Sequence, residues 1–410
     1  MEILVLNAGS SSQKSCLYSL KEDAIPLHPP APLWEAQIDW THHQGVAELK
    51  VKTINGVVFQ EELNTQSRLE TVEYMLQTLQ QGETKVIDSL AEIDCVGHRV
   101  VHGGDKYHDS TLITKEVKDA IADFAKFAPV HNPANLEGIV AIEHILGEKV
   151  TQVAVFDTAF HAQMPEAAIV YPLPYEFYEH GIRRYGFHGI SHQYVSQRAA
   201  QILDKDLTSL KLVTCHLGNG CSLAAVKNGY SIDTTMGFTP TAGLMMGTRS
   251  GDTDPGIIID LLRRGHTGEQ IDDIFNRRSG FLGLSGISAD MRKIEEAIGQ
   301  GNSRAKLAYD VYIHILRSFI GAMIATLEGV DAIVFTAGVG ENAANVRADV
   351  CTSFAFLGLK IDEEKNNHRP VDRDISTPDS PIKVLVIHTQ EDWAIAQECI
   401  RLTQLSTVPS

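Results

Sequence analysis

Four short polar turns, each placed directly after a run that reads as a buried strand, constrain this chain more than any other feature. They are Asn7-Ala8-Gly9-Ser10-Ser11-Ser12, Asp157-Thr158, His216-Leu217-Gly218-Asn219-Gly220 and Gly338-Val339-Gly340-Glu341-Asn342. Glycine lets a backbone come close to a ligand, and successive free N–H groups in such turns form a concavity for anions. Turns of this kind at several strand ends equip a fold to hold nucleotide phosphates from two sides.

The strand patterns repeat. Ile3 to Leu6 is a continuous apolar run, Asn7 to Lys14 is polar, and Ser15 to Tyr18 resumes the strand, which predicts a hairpin with a polar tip. Leu212 to Cys215, the His216 to Gly220 turn, and Cys221 to Val226 repeat that layout, suggesting two related halves. Val153 to Phe156 ends on Asp157, and Ile333 to Thr336, read as its counterpart, ends on Ala337-Gly338. Strand ends face the crevice where ligands bind in α/β sheets, so each half supplies one hairpin tip and one strand end.

Helical periodicity at Leu69 to Leu79, Leu136 to Gly147 and Arg304 to Leu327 makes the chain α/β. A polar, Pro-containing loop is expected over Pro370 to Pro381, followed by a last strand at Val384 to Ile387 and a helix from Trp393. At 410 residues the chain exceeds the length at which one core stops growing, so two domains around a central cleft are expected. The expected division is an N-terminal domain of 1–157 plus 391–410, to which the final helix returns, and a nucleotide-binding domain of 158–390.

A balance of 35 Lys and Arg against 52 Asp and Glu, net −17, argues against nucleic acid or an anionic membrane as partner. An anionic substrate then needs arginines placed locally. The six cysteines show no CxxC pair or zinc spacing and several sit in apolar runs, as buried thiols in a reducing compartment would. No apolar run is expected to span a membrane, and the strand pattern opening at Ile3 leaves no targeting segment, so a cytoplasmic location is expected.

No Walker A motif, GxGxxG or HRD/DFG set is present, so any phosphate site is of another type. In Gly97-His98-Arg99-Val100-Val101-His102-Gly103-Gly104, Arg99 stands among small residues where a guanidinium forks onto a carboxylate or phosphate, or pairs with a carboxylate of the chain itself. The loop from Met245 to Gly256 packs Arg249, hydroxyls and three glycines together, too polar for core. Asp157 ends a strand that is apolar on both faces, which calls for a cation or metal partner, or else for a helix-capping role. His188, flanked by Gly186 and Gly189, is able to approach a ligand closely or to be a satisfied structural histidine, and His131 in Pro129-Val130-His131-Asn132-Pro133 allows the same two readings.

Taken together, the blocks Asn7 to Lys14, Gly97 to Gly104, Phe156 to His161, Tyr185 to His192, His216 to Ser222, Phe238 to Pro255, Ser285 to Arg292 and Phe335 to Asn342 resemble the acetate kinase family, within the sugar kinase, Hsp70 and actin superfamily. The resemblance runs from one end of the chain to the other. It implies a two-domain actin-like ATPase fold of the ribonuclease H-like kind, with a central interdomain cleft. It also implies the reaction ATP + acetate ⇌ acetyl phosphate + ADP, dependent on Mg²⁺ or Mn²⁺, in a homodimer.

By the same resemblance, Arg99 and Arg249 grip the acetate carboxylate and the moving phosphoryl group, His188 stabilises the transition state, and Asp157 and His131 belong to the catalytic set. Asn7 and Glu391 match the magnesium residues. Ser10, Ser12, Lys14, His216, Leu217, Gly218, Asn219, Gly220, Asp290, Met291, Arg292, Gly338, Val339, Gly340, Glu341 and Asn342 match ATP contacts, and Val101, Val130 and Pro240 form the methyl pocket. Because acetate is already ionised at neutral pH, little proton abstraction is needed. Asp157 is therefore expected to hold the metal and its water rather than to serve as acid or base.

The chain departs from the family pattern twice. The usual Thr-Pro-Leu-Glu-Gly reads Thr239-Pro240-Thr241-Ala242-Gly243 beside the methyl pocket, which leaves chain-length preference open between acetate and propionate or butyrate. The usual Asn-Glu-Glu reads Gln390-Glu391-Asp392, which keeps the carboxylate at Glu391. An ATP-driven binding protein of the Hsp70 or actin kind is the alternative from another class, but it offers no use for the two arginines. Closure of the domains around both substrates is the expected motion, excluding water from the phosphoryl group.

Overall fold

The computed structural model describes residues 1–9, 12–20, 25, 26, 28–43, 45–65, 67–129 and 131–407; Ser10 and Val130, both expected at the site, lie outside the described residues. The chain forms two compact units, Met1–Ala159 with Gln390–Ser410, and Phe160–Thr389.

In the first unit an eight-stranded sheet has the order β5-β4-β3-β2-β1-β6-β8-β7. β1 (Glu2–Ala8) and β2 (Ser12–Ser19) form a hairpin in register from Glu2 opposite Ser19 to Ala8 opposite Gln13. β3 (Trp34–His43), β4 (Val46–Thr53) and β5 (Val58–Leu63) extend it as an antiparallel meander. On the other side β6 (Ile93–Val100) and β8 (Thr151–Phe156) run parallel to β1, with β7 (Thr111–Leu112) antiparallel at the edge.

The continuous apolar runs of β1, β6 and β8 follow from cover on both faces. One face buries Leu4, Leu6, Leu17, Trp34 and Ile38 against Val72, Met75, Leu76 and Leu79 of helix Arg68–Gln80 and Ile142 of helix Asn132–Leu146. The C-terminal helix Glu391–Thr407 packs on β1, β6 and β8. That approach requires Gly97: a Cβ there would sit 2.5 Å from Ile395 Cγ2 and 2.7 Å from Cys399 Sγ.

The second unit is built on a six-stranded sheet, β11-β10-β9-β12-β14-β13. β9 (Lys211–Leu217), β10 (Cys221–Lys227) and β11 (Tyr230–Thr234) are antiparallel neighbours. β12 (Ala332–Thr336) and β14 (Lys383–Val386) run parallel to β9, and the short β13 (Arg373–Asp374) closes the edge. Both sheets therefore share one design, a hairpin whose first strand begins a parallel set of three.

Several expectations change. The partner of β1 in that design is β6, as β12 is the partner of β9, so the counterpart of β8 is β14 rather than β12. Sequence similarity between apolar runs says nothing about which neighbour they pair with; hydrogen-bond register does. Gly338 to Asn342 is not a turn but part of a helix, Ala337–Asn342. Ala337 takes a left-handed φ of 64°, which swings the chain from strand to helix, and Glu341 accepts the Ala337 N–H at 2.8 Å. The 370–381 stretch is not wholly loop, because it contributes β13.

The 25-residue helix Ser303–Leu327 is long and apolar enough to cross a membrane by length and composition, contrary to the expectation that no such run exists. One face of it has partners within the second unit. Ala308, Tyr312, Leu316, Ile320 and Leu327 are buried, and the helix packs on β10 and on helix Gly280–Ser285. All six cysteines are buried and free.

Candidate active site

In the first unit, three neighbouring parallel strands end side by side. Asn7 stands near the end of β1, Arg99 near the end of β6, and Asp157 follows β8, with Arg99 in register with Val155. Arg99 Nη2 donates to Asp157 Oδ2 at 2.6 Å, and the Asp157 side chain is 3% exposed. Burial works against the Arg99 charge, but Asp157, with Glu391 and Asp392 beyond it, outweighs that penalty and holds the guanidinium above its ordinary value. Both sequence readings of Arg99 meet here: the ion pair exists, and Arg99 Nε remains a buried donor with no acceptor among the described residues.

The first turn of the C-terminal helix adds two carboxylates. Asn7 Nδ2 donates to Asp392 Oδ1 at 3.0 Å and lies 3.4 Å from Glu391 Oε2. Only the NH₂ end of a carboxamide suits two carboxylate oxygens, so the Asn7 oxygen faces away from them. Burial pushes the Glu391 carboxyl up; Arg99 opposes this, while Asp157 and Asp392 add to it. Glu391, Asp392 and Asp157 place three carboxylates near Arg99, an oxygen-rich surplus of acidic groups that suits a hard divalent ion. Among the described residues no cluster of three or more His, Cys, Asp or Glu has metal-ligand geometry. Mg²⁺ does not demand one, since it keeps waters and uses one or two carboxylates plus phosphates.

The backbone around Arg99 is held by amides that sequence reasoning missed. Asn135 Oδ1 accepts the Val101 N–H at 3.1 Å while its Nδ2 donates to the Ala8 carbonyl at 3.1 Å, tying the ends of β1 and β6 together. Asn132 Oδ1 accepts the His102 N–H at 3.1 Å, and Thr158 Oγ1 accepts the Gly103 N–H at 3.1 Å. The signal lay in the 129–135 stretch, where the histidine drew attention away from the asparagines. His131 itself stands at the N-terminal end of helix Asn132–Leu146, Val101 is buried, and Ser12 and the exposed Lys14 lie on β2.

The second unit holds His188 and Arg249. His188 adopts φ 57° as the residue capping helix Gly189–Leu203. Two residues earlier Gly186 takes φ 77°, where a Cβ would meet Thr234 Cγ2 at 2.6 Å and His161 Cδ2 at 2.7 Å. The His188 ring stacks on His216 at 4.2 Å, and His216 Nδ1 is 2.8 Å from Ser191 Oγ. Arg249 and His188 converge on Gly220: a Cβ there would lie 3.4 Å from Arg249 Nη1 and 3.4 Å from His188 Nε2. Arg249 Nη1 donates to the Pro240 carbonyl at 3.3 Å, and no ion pair to Arg249 occurs among the described residues. Burial lowers its affinity for its proton, so an anionic ligand would repair an unfavourable charge.

A cavity of about 750 Å³ lies beside them in the same unit. It is lined by Gly218 and Asn219 from the β9–β10 tip, Asp290, Met291 and Arg292 at the start of helix Met291–Gly299, and Gly338, Val339 and Asn342. Glu295 and Arg369, which the sequence did not suggest, complete the wall with Ala289 and Ala343. Asp290 caps its helix through the Arg292 N–H at 2.9 Å and pairs with the Arg292 guanidinium at 2.6 Å.

Not every expected contact faces this cavity. The Leu217 side chain is fully buried in the core, and Gly340 is buried too. Glu341 is occupied by the Ala337 N–H, by the Thr389 N–H at 3.3 Å and by His388 Nδ1 at 2.6 Å, so it braces the strand end. Buried Arg347, also missed, donates to the Gly340 and Glu341 carbonyls at 2.8 and 2.9 Å and shapes the same helix; a single arginine in a helical run carries no sequence signal.

Residues 2–397 match the model of the acetokinase family. The chain is 61% identical over 408 residues to an acetate kinase of Cyanothece sp., covering 99% of this chain and 100% of that one. It is 62% identical over 400 residues to an acetate kinase of Nostoc punctiforme, covering 97% and 98%. The crystal structure of Porphyromonas gingivalis acetate kinase superimposes with TM-score 0.90 at 42% identity, covering 98% of this chain and 99% of that one. A propionate kinase from Francisella tularensis gives 0.87 at 38% identity, covering 97% and 98%.

Proposed function

The chain belongs to the acetokinase family, an actin-like ATPase fold that transfers a phosphoryl group from ATP to acetate, and from that premise we propose how its two sets of residues divide the work. The observation that carries this reading is the pair of arginines. Arg249 is a half-buried cation with no ion pair among the described residues, and Arg99 keeps a buried unspent N–H beside Asp157. A reaction that brings together a carboxylate and a phosphoryl group supplies the missing anions.

In this reading Arg99 and Arg249 hold the acetate carboxylate and the moving phosphoryl oxygens, and His188 shares the developing charge. Phosphoryl transfer asks mainly for positioning and charge stabilisation, and a carboxylate nucleophile needs no base to deprotonate it. Asn7, with its carboxamide turned so that the oxygen faces the ion, and Glu391 would hold Mg²⁺, or Mn²⁺ in its place, with Asp157 helping to hold the ion and its water; the ion would neutralise phosphate charge. The cavity of about 750 Å³ takes the nucleotide of ATP or ADP, its phosphates near Gly218, Asn219 and Gly338 and its base toward Glu295 and Ala343. Ser12, Lys14, His216 and Gly220 complete the nucleotide contacts, His131 belongs to the catalytic set, and Val101 and Pro240 face the methyl group.

A cytoplasmic homodimer is part of the reading. Helix Pro255–Arg263 supports it, since Ile257, Ile258, Ile259 and Leu262 are all exposed and the helix buries no residue of its own. Sedimentation at equilibrium tests the dimer. Acyl phosphate formation trapped with hydroxylamine, with ATP and Mg²⁺ and with acetate, propionate and butyrate in parallel, tests the reaction. Activity led by acetate is the expected result, and no trapped product with any acid would overturn the reading. A second reading, propionate as the better substrate, draws on Thr241, whose hydroxyl donates to Asn276 Oδ1 at 2.5 Å and is thereby turned toward that residue.

A further inference from the structure

Behind His188 lies a connected set of buried hydrogen-bonding groups that the roles above leave unused. Ser222 Oγ, on β10, is 2.9 Å from His188 Nδ1 and 2.8 Å from His192 Nε2. Thr214 Oγ1, on β9, is 2.7 Å from His192 Nδ1 and 3.5 Å from the carbonyl oxygen of Ala224, its partner across the two strands. Ser222, His192 and Thr214 are fully buried.

Each hydroxyl has one proton to give, and a neutral imidazole donates at one nitrogen while accepting at the other. His192 is neutral, because burial, with His161 and His216 nearby, holds it well below the ordinary imidazole range. The Ala224 carbonyl only accepts, so the Thr214 proton points to it and Thr214 accepts from His192 Nδ1–H. His192 Nε2 is then a bare lone pair and takes the Ser222 proton. Ser222 Oγ is left as an acceptor toward His188, whose Nδ1 must carry a proton.

We propose that Ser222, oriented by His192 and Thr214, is a positioning residue that keeps a proton on His188 Nδ1, so that His188 meets the phosphoryl group through Nε2 as an imidazolium. In this tautomer neutral His188 would turn a lone pair toward phosphoryl oxygen, which repels it, whereas the cation presents an N–H. His216, stacked from β9, and Arg249 from the 245–256 loop face the same ring and oppose its positive charge. Ser222 as acceptor and the anionic phosphoryl group favour it.

The inference rests on the placement of His188 at the moving phosphoryl group, but its first test does not depend on turnover. Nitrogen-15 NMR of the histidine-labelled protein, with ADP and Mg²⁺, reports which ring nitrogen of His188 bears hydrogen. A proton on Nδ1 is expected; a neutral ring protonated only at Nε2 would overturn the proposal. The second test is the pH profile of kcat. Activity carried by an imidazolium is full at low pH and is lost as pH rises through the ionisation of His188. Losing an acceptor to a charged donor moves that limb about one pH unit lower in Ser222→Ala and costs ~10-fold in kcat at neutral pH, with KM for acetate and ATP little changed. Ser222→Thr, which keeps the hydroxyl, restores the wild-type limb. A uniform loss in Ser222→Ala at every pH would mark Ser222 as merely structural and end the proposal. If instead His188→Ala turned over normally while the tautomer was as expected, the catalytic placement of His188 would be at fault.

Discussion

Arg99 Nη2 lies 2.6 Å from Asp157 Oδ2, joining the ends of two adjacent parallel strands through a carboxylate that is 3% exposed. Breaking a buried pair leaves a bare charge, so Arg99→Ala is expected to destabilise by about 3 kcal/mol, well above the value for the double variant with Asp157→Ala. Urea unfolding of the two single variants and the double variant measures the difference. Additive losses would mean the pair is weak.

Asp157→Asn keeps the shape but removes the charge that faces both Arg99 and the proposed metal. Its loss should fall mainly on apparent Mg²⁺ affinity, read from kcat/KM as a function of Mg²⁺ concentration. An unchanged magnesium dependence with a fallen kcat would point instead to acid or base chemistry.

Arg249 carries a charge that folding partly buries without an ion pair among the described residues. Arg249→Met should therefore hold or raise the melting temperature while lowering kcat at least ~100-fold, the size of effect seen when one charge-stabilising donor is removed. Calorimetry and acyl phosphate trapping on the same preparation decide this. A large loss of stability would show that Arg249 is mainly a structural residue.

Gly220 lies beside both Arg249 and His188, and an added Cβ would touch both at 3.4 Å. Gly220→Ala should fold normally and lose ~10-fold in kcat by filling space between the two side chains, since small misplacements are costly in transition-state geometry. Full activity would place the catalytic arrangement elsewhere.

Two buried histidines in the first unit make stability depend on pH. Burial pushes His98 down to about 4, opposed by its 2.8 Å contact with Gln152, and burial likewise pushes His102 down to about 4, opposed by Asp105. Both titrate below the unfolded value near 6.5, so the unfolded chain binds more protons between those limits. Stability is full above about pH 6.5 and falls as pH drops toward 4, by about 3 kcal/mol for each histidine. Urea titrations from pH 4.5 to 7.5 should show the slope, and His98→Leu should flatten it. An equal slope in that variant would remove His98 from the account.

Much of the fold was legible because period and punctuation are local. The apolar runs of β1, β8, β9 and β12, the polar hairpin tips and the helix from Arg304 need only the covalent order of residues to be read. The same holds for Arg99, Asp157, His188 and Arg249, since a charge or an imidazole among glycines, or a carboxylate closing an apolar run, stands out in any window. Partnership is not local. That Asn135 spans Ala8 and Val101, that Glu341 serves the Thr389 N–H, and that β8 matches β14 depend on groups distant in the chain.

By itself, then, the sequence determined an α/β chain with hairpin tips and strand ends of the right chemistry for phosphates, because strand and turn preferences act over a few residues. Only the tertiary structure decided which of those groups already have partners. Hydrogen-bond direction and burial belong to atoms brought together by folding: Asp157 is matched by Arg99, Arg249 keeps its charge without an ion pair among the described residues, and Ser222 stands between two imidazoles.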